Sequence, residues 1–260
     1  MKKKIDIGTL FGLMFGLAAV FGSFLLEGGT MGAIIMLPAM VIVFGGTFAT
    51  ALIGTPMKVM KNFGTTLLIA LYPPSYDYPA IIEEIVKHSM IARKEGLLTL
   101  ERHLSSVKDR YLLKMLRYLI DGIDINILRS LSEMDLNHVS ERHQKNIQLY
   151  QRMGGYSPTM GIIGTVMGLI ATLANAGEDP NQLIRHIASA FIATLWGVFM
   201  ANIIWLPIAD KLKSIDDEEQ LYMSLISEGV IAIQEGEIPS IIRSKLRTMI
   251  TSDEQVQDLK

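Results

Sequence analysis

Four long apolar runs divide this chain of 260 residues, and none of them carries an Asp or Glu deep inside it. About 20 apolar residues suffice to cross the hydrocarbon core of a bilayer as a helix, which satisfies its own backbone donors and acceptors. The runs extend roughly over residues 7–26, 31–56, 156–176 and 187–208. With 50% hydrophobic and 19% charged residues, and a mean hydropathy of +0.34, the composition is that of a polytopic membrane protein. The opening, MKKKIDIGTLFGLMFGLAAVFGSFLL, has an apolar run longer than the core of a secretory signal, and a second run follows almost at once. An uncleaved first span is expected.

Basic residues set the expected orientation. Lys2, Lys3 and Lys4 precede the first span, Lys58 and Lys61 follow the second, Arg152 precedes the third, and Lys211 and Lys213 follow the fourth. The two short turns between paired spans hold Glu27, Glu178 and Asp179, with Arg185 the lone nearby base. Both termini and the middle region are therefore expected on the cytoplasmic side, leaving two small turns outside. This divides the chain into a membrane hairpin (1–57), a cytoplasmic helical domain (58–153), a second membrane hairpin (154–209) and cytoplasmic C-terminal helices (210–260). The fold class is all-α.

In the middle region, Pro79 opens an apolar stripe of Ile81, Ile82, Ile85, Val86 and Met90, and Gly96 is a plausible stop. A second pattern holds Leu112, Leu113, Leu116, Leu119 and Ile120, ending near Gly122. A third begins near Ile125 and is predicted to run into the third span, with Gly154–Gly155 as a joint. The tail from Ile215 to Ile250 reads as two short amphipathic helices broken at Gly236 and Pro239.

Net charge is −2, which gives no bias toward nucleic acid. Absence of cysteine removes thiolate metal sites and cysteine nucleophiles. No metal-ligand cluster, phosphate loop or nucleophile arrangement stands out, so neither an enzyme nor a cofactor is expected. His88, His103 and His143 are scattered over the middle region and read as solvated.

Chemistry concentrates in the last two spans. The third, YSPTMGIIGTVMGLIATLANAG, carries Pro158 near its inner end, a proline that removes a backbone donor and can kink a helix. Gly161, Gly164 and Gly168 form one smooth face, and Gly164 with Gly168 makes a GxxxG pair for close helix approach. Thr165 and Thr172 share that general side; their hydroxyls either line a wet path or bond back to their own helix. The fourth span keeps one side small with Ser189, Ala190, Ala193, Thr194, Gly197 and Ala201. Pro207 ends it beside Asp210 and Lys211, and Asn202 is expected to bond another helix. Intramembrane charge is costly and usually functional. A proton relay needs a group that titrates, which Thr and Asn do not do at useful pH. A carboxylate from a partner is needed to complete an ion path past Thr165 and Thr194.

These residues carry a family resemblance. PTMGIIGTVMGLI (Pro158 to Ile170) followed by ASAFIATLWGVFMANIIWLPIADKL (Ala188 to Leu212) is similar to the MotA/PomA family of flagellar stator subunits, as is the layout of nearly the whole chain. ARKEGLLTLE (Ala92 to Glu101) adds a cytoplasmic match. The resemblance implies a pentamer of this chain around a MotB pair, with MotB supplying an essential Asp and a peptidoglycan anchor. It implies that Arg93 and Glu101 contact the rotor protein FliG. Pro158 and Pro207 would couple ion passage to movement, while Thr165, Thr194, Ala193, Gly164 and Gly168 would border the ion path. Ala193 stands where sodium-driven relatives tend to have a second Thr, so protons are expected rather than sodium. The location implied is the bacterial cytoplasmic (inner) membrane. ExbB- and TolQ-like energisers resemble the last two spans but have a single span before the cytoplasmic region.

Overall fold

The computed structural model describes residues 6–174 and 180–250. Expectations that fall on the lysines at 2–4 or on the turn at 177–179 lie outside them. Among the described residues the chain is helical throughout and contains four helices long and apolar enough to cross a membrane. The described residues divide into two compact units, one of residues 75–142 and 216–250, the other of residues 6–74, 143–174 and 180–215.

The apolar unit contains the spans. Helix α1 (Ile7–Leu26) starts at Asp6, whose carboxylate accepts from the backbone N–H of Gly8 and Thr9. It ends where Gly28 takes a positive φ of 87°, which suits glycine. No residue of α1 is buried, as expected of a helix whose surroundings are lipid or other subunits. The second span is not one helix from residue 31. A single turn, α2 (Met31–Ile34), breaks at Ile35–Met36, and α3 (Leu37–Met40), a π segment (Val41–Gly45) and α4 (Gly46–Gly54) then run on together. The break precedes Pro38, which sits well in a first helical turn and has no N–H to give the Ile34 carbonyl four residues back. That carbonyl instead accepts the Met36 N–H at 3.1 Å and the indole N–H of Trp196 at 3.0 Å.

Two short helices, α5 (Met57–Met60) and α6 (Phe63–Leu71), follow in the same unit. Tyr150 anchors α6 by donating to the Phe63 carbonyl at 2.6 Å and lying 3.0 Å from the Thr66 hydroxyl. Thus residues 58–74 and 143–153, which the hydropathy grouped with the cytoplasmic domain, pack with the spans.

The other unit is built from α7 (Tyr78–Glu95), a 3-10 segment (Leu97–Ser106), α8 (Arg110–Ile120), the first part of α9 (Ile125–Ala174), the last part of α11 (Leu206–Gln234), and α12 (Pro239–Thr248). Four residues of the predicted α7 stripe are buried, Ile81, Ile82, Ile85 and Val86 joining Leu112, Leu116, Leu119, Ile226 and Ile242 in one core, whereas Met90 is exposed. Asp77 and Asp109 cap α7 and α8 through backbone N–H bonds. Arg243 grips Glu83 with two bonds of 2.7 Å, tying α12 to α7. The stops at Gly96, Gly122 and Gly236 all take positive φ. Gly154 and Gly155 form no joint, because α9 is continuous through them. The tail is one long helix continuing from the fourth span and then α12, so its first half is not a separate short helix.

His88 corrects the reading of the histidines as solvated: it is 3% exposed, on the buried face of α7, and its Nδ1 has no partner. Burial holds its pKa below the usual histidine value, with Lys87 and His103 adding to the effect. The native state therefore resists the proton that the unfolded chain accepts. Its contribution to stability is full above the unfolded value of about 6.5 and is lost as pH falls through the folded one. Thermal unfolding of the assembled protein is expected to shift to lower temperature between pH 7 and pH 5. His88→Leu should flatten that part of the profile, and an unchanged pH slope in the variant would refute the assignment.

Candidate functional site

The third and fourth spans meet along glycine and alanine. Helix α10 (Pro180–Phe199) continues through a π segment (Met200–Trp205) into α11. A Cβ built on Gly161 would lie 2.8 Å from the Ala193 carbonyl oxygen, and one on Gly197 would lie 2.7 Å from the Ser157 carbonyl oxygen. On Gly168 it would come within 2.8 Å of the Ala190 Cβ. The backbones touch, which is the use of small residues in membrane helix pairs.

This approach brings Thr165 and Thr194 together, hydroxyl to hydroxyl. The Thr165 oxygen also lies 3.0 Å from the Ala190 carbonyl and 3.1 Å from the Gly161 carbonyl. One hydroxyl proton can go to only one acceptor at a time, so the pair is a small switchable network rather than a fixed bond. It is half-buried. One turn to either side, Ile162 and Leu169 on α9 and Phe191 and Val198 on α10 are exposed. The pair thus shows itself on an apolar face. Thr172 bonds back to the Gly168 carbonyl at 2.9 Å and takes no part.

Ala193 and Gly164 turn toward the second span, a Cβ on Gly164 meeting both Ala193 and Ile42, while Gly168 stays in the seam against Ala190. All three line a cavity of about 450 Å³ with Met36, Ala39 and Ile42 of the second span. His186, at the outer end of the fourth span, also lines it, and its buried Nδ1 has no partner. The five candidates for the ion path therefore fall into two groups: a hydroxyl pair on an apolar face, and three small residues that border the cavity. Ala193 is 1% exposed among Ala39, Val43 and Gly164. Consecutive helical residues point about 100° apart, so its side chain does not share the direction of Thr194. Ala193→Thr is expected to overpack the contact with Gly164, Ala39 and Val43 at a cost of about 1–3 kcal/mol, read as a lower unfolding temperature of the assembled protein; an unchanged or raised unfolding temperature would overturn the geometry.

Pro158 lies inside α9, where it withdraws a donor from the ladder without ending the helix. Pro207 likewise does not end its helix; α11 passes through it directly after the π segment, whose wider turns spread the backbone there. Asn202 donates to the Val198 carbonyl of its own helix at 2.9 Å, not to another helix. Arg152 donates to the Gly54 carbonyl at 2.6 Å, closing the end of the second span. Lys211 pairs with Asp6, so the start of the first span and the end of the fourth lie side by side. Nothing in the sequence singles out Trp196. Besides holding the Ile34 carbonyl, it packs against Phe21, Phe44 and Phe199.

Arg93 lies in the last turn of α7 and Glu101 in the 3-10 segment, with the Gly96 turn between them. Both are exposed, as are Lys94, Glu95 and Arg102. Neither Arg93 nor Glu101 makes an ion pair among the described residues. The apolar neighbours Leu100 and Val86 are buried, so the turn rests on a fixed core while its charges face outward.

Comparison with known proteins follows this geometry. The MotA/TolQ/ExbB proton channel family matches residues 103–225, and the motility protein A N-terminal family matches residues 10–96. Motility protein A of Aquifex aeolicus is 34% identical, over 95% of this chain and 97% of that protein. Chemotaxis protein PomA of Vibrio alginolyticus is 33% identical, over 98% of this chain and 99% of that protein. The structure of C. jejuni MotAB is similar with a TM-score of 0.90 at 26% identity, covering 96% of this chain and 97% of that one. The flagellar MotAB stator complex from Bacillus subtilis gives 0.88 at 28% identity, covering 96% and 98%. Four apolar spans, the close glycine-lined pairing of the last two, and likeness along nearly the whole length lead to one assignment: this chain belongs to the motility protein A family, the MotA branch of the MotA/TolQ/ExbB proton channel proteins.

Proposed function

We propose that this chain forms the membrane ring of a flagellar stator which, with a MotB-type partner, passes protons across the cytoplasmic membrane and drives the rotor through FliG. The observation that carries this reading is the Thr165–Thr194 pair, half-buried on an apolar face of spans that hold no Asp or Glu among the described residues. Such a face suits a partner helix, and such hydroxyls suit the surroundings of a carboxylate that the partner brings. A titrating group is indispensable, because neither hydroxyl can take up and release a proton at useful pH. One charge crossing a potential of 100 mV releases about 2.3 kcal/mol, so successive protons can drive repeated small steps.

The likeness to flagellar stators supports five copies of this chain around two partner helices. In such a mismatched ring, protonation of one partner carboxylate changes which subunit it engages, and the ring turns. Pro158, inside α9, and Pro207, next to the π segment, are the points at which that movement would bend the spans. The basic flanks and the Asp6–Lys211 pairing favour both termini on the cytoplasmic side. The paired spans before residue 57 favour this reading over an ExbB-like energiser.

The test is swimming of a stator-deficient host that expresses this chain with its MotB partner, with and without sodium at constant proton-motive force. Rescue in both conditions is expected. Rescue only with sodium would replace the ion and keep the machine. Failure of a complex shown to be assembled in the membrane, in a host with a matched rotor, would refute the stator reading.

A further inference from the structure

The inner half of the span bundle contains two fully buried residues whose hydroxyls no protein group satisfies. Ser157 is 0% exposed and Thr47 is 2% exposed, and the side-chain oxygen of each has no hydrogen-bond partner. Both are sealed within a single chain. Neither a second copy nor a partner helix can reach them without dismantling the bundle.

The register of the helices brings them to one level. The second span runs antiparallel to α9: a Cβ on Gly46 would meet the Met160 side chain, and Arg152 reaches the Gly54 carbonyl. Between these two anchors Thr47 falls opposite the stretch from Ser157 to Gly161, within about one helical turn of Ser157 along the axis. Faces agree as well. Thr47 lies on the buried stripe Ala39, Val43, Thr47, Ala51, and Ser157 lies one turn beyond buried Met153, which clusters with Ala51. A third polar group joins them. Pro158 has no N–H, so the ladder bond that would close on the Gly154 carbonyl is absent, and that carbonyl lies one turn below Ser157 on the same helix.

We propose that Ser157, Thr47 and the Gly154 carbonyl form an internal hydration site, in which a bound water satisfies the backbone freed by Pro158. A buried water needs two to four polar partners, and these groups offer two hydroxyls, each able to donate or accept, and one acceptor. An ordered water is one of the few ways by which a proline inside a membrane helix is tolerated. The site gives the third span a wet joint: on bending at Pro158, the carbonyl exchanges one water bond for another without exposure to hydrocarbon. This holds whichever ion is carried and does not rest on the torque reading.

Thermal unfolding of the detergent-solubilised complex with MotB distinguishes the possibilities. Ser157→Ala and Thr47→Val each remove one water partner and strand the others, so each should lower Tm, by roughly 2–4 °C. In the double variant the loss should be smaller than the sum of the two, because the first deletion already empties the bridge. If the hydroxyls are merely unsatisfied, each substitution removes a penalty; Tm would then hold or rise, additively, and the proposal would fail. Should either variant not assemble, a map of the wild-type complex that resolves waters decides. Density within hydrogen-bond reach of both side-chain oxygens supports the site, and Ser157 turned onto its own helix backbone removes it.

Discussion

Gly197→Ala is expected to cost the complex most of its swimming, although it adds one methyl group. That methyl would sit 2.7 Å from the Ser157 carbonyl oxygen and 3.1 Å from the Gly161 Cα. Both are backbone atoms inside a helix, so no rotamer change relieves the clash, and the third and fourth spans must move apart. Overpacking of this kind costs about 1–3 kcal/mol, and the functional loss should be larger than the stability loss. Thr165 and Thr194 meet only because Gly161 and Gly197 let the helices touch, so separation breaks the hydroxyl pair. Gly161→Ala should behave alike, since its methyl would lie 2.8 Å from the Ala193 carbonyl oxygen. Gly12→Ala is the control, because a methyl there meets nothing within 4 Å. The measurement is swimming speed alongside recovery of assembled complex. If Gly197→Ala swims and assembles like the Gly12→Ala control, the close pairing is not what holds the site together.

What the sequence makes legible depends on whether a feature is periodic. The four spans, the α7 stripe and the glycine stops are repeats or breaks of a helical pattern, and the structure follows them except at the break before Pro38 and at exposed Met90. The close approach at Gly161, Gly164 and Gly168 is legible too, because small residues at helical spacing have one main physical use. Ala193 and Thr194 show where this fails. They are neighbours in sequence and both small, yet one is walled in by Ala39 and Val43 while the other meets Thr165. Only the position of the second span separates their roles, and nothing local encodes it. The π segments at Val41–Gly45 and Met200–Trp205 escape for a similar reason: their composition is that of the α-helix around them. His88 was legible in principle. It lies three residues after Ile85 and seven after Ile81, within the buried stripe, but its polarity argued for solvent. Trp196 and the broken turn before Pro38 compensate for each other, and neither predicts the other without coordinates.

Arg93→Glu should abolish torque while leaving the complex intact, a larger separation of function from folding than any membrane substitution will give. The reason lies in how the charge is mounted. Gly96, at φ 88°, reverses the chain after α7, and Leu100, fully buried, pins the 3-10 segment to the core. The Arg93 and Glu101 side chains extend from that fixed frame into solvent with no ion partner among the described residues. Surface substitutions away from such anchors usually change stability by within about 0.5 kcal/mol. A charge that does nothing for the fold remains available to a partner, and it acts over several ångströms without requiring a tight contact. On the proposed rotor contact, reversal would turn attraction into repulsion, and Glu101→Lys should act in the same direction from the other side of the turn. Rotation of tethered cells under load is the readout, with complex recovery and unfolding temperature as checks. A compensating charge reversal on the rotor should restore part of the torque lost in Arg93→Glu. Normal rotation under load in Arg93→Glu, with assembly unchanged, would mean that the exposed charges at this turn do not touch the rotor.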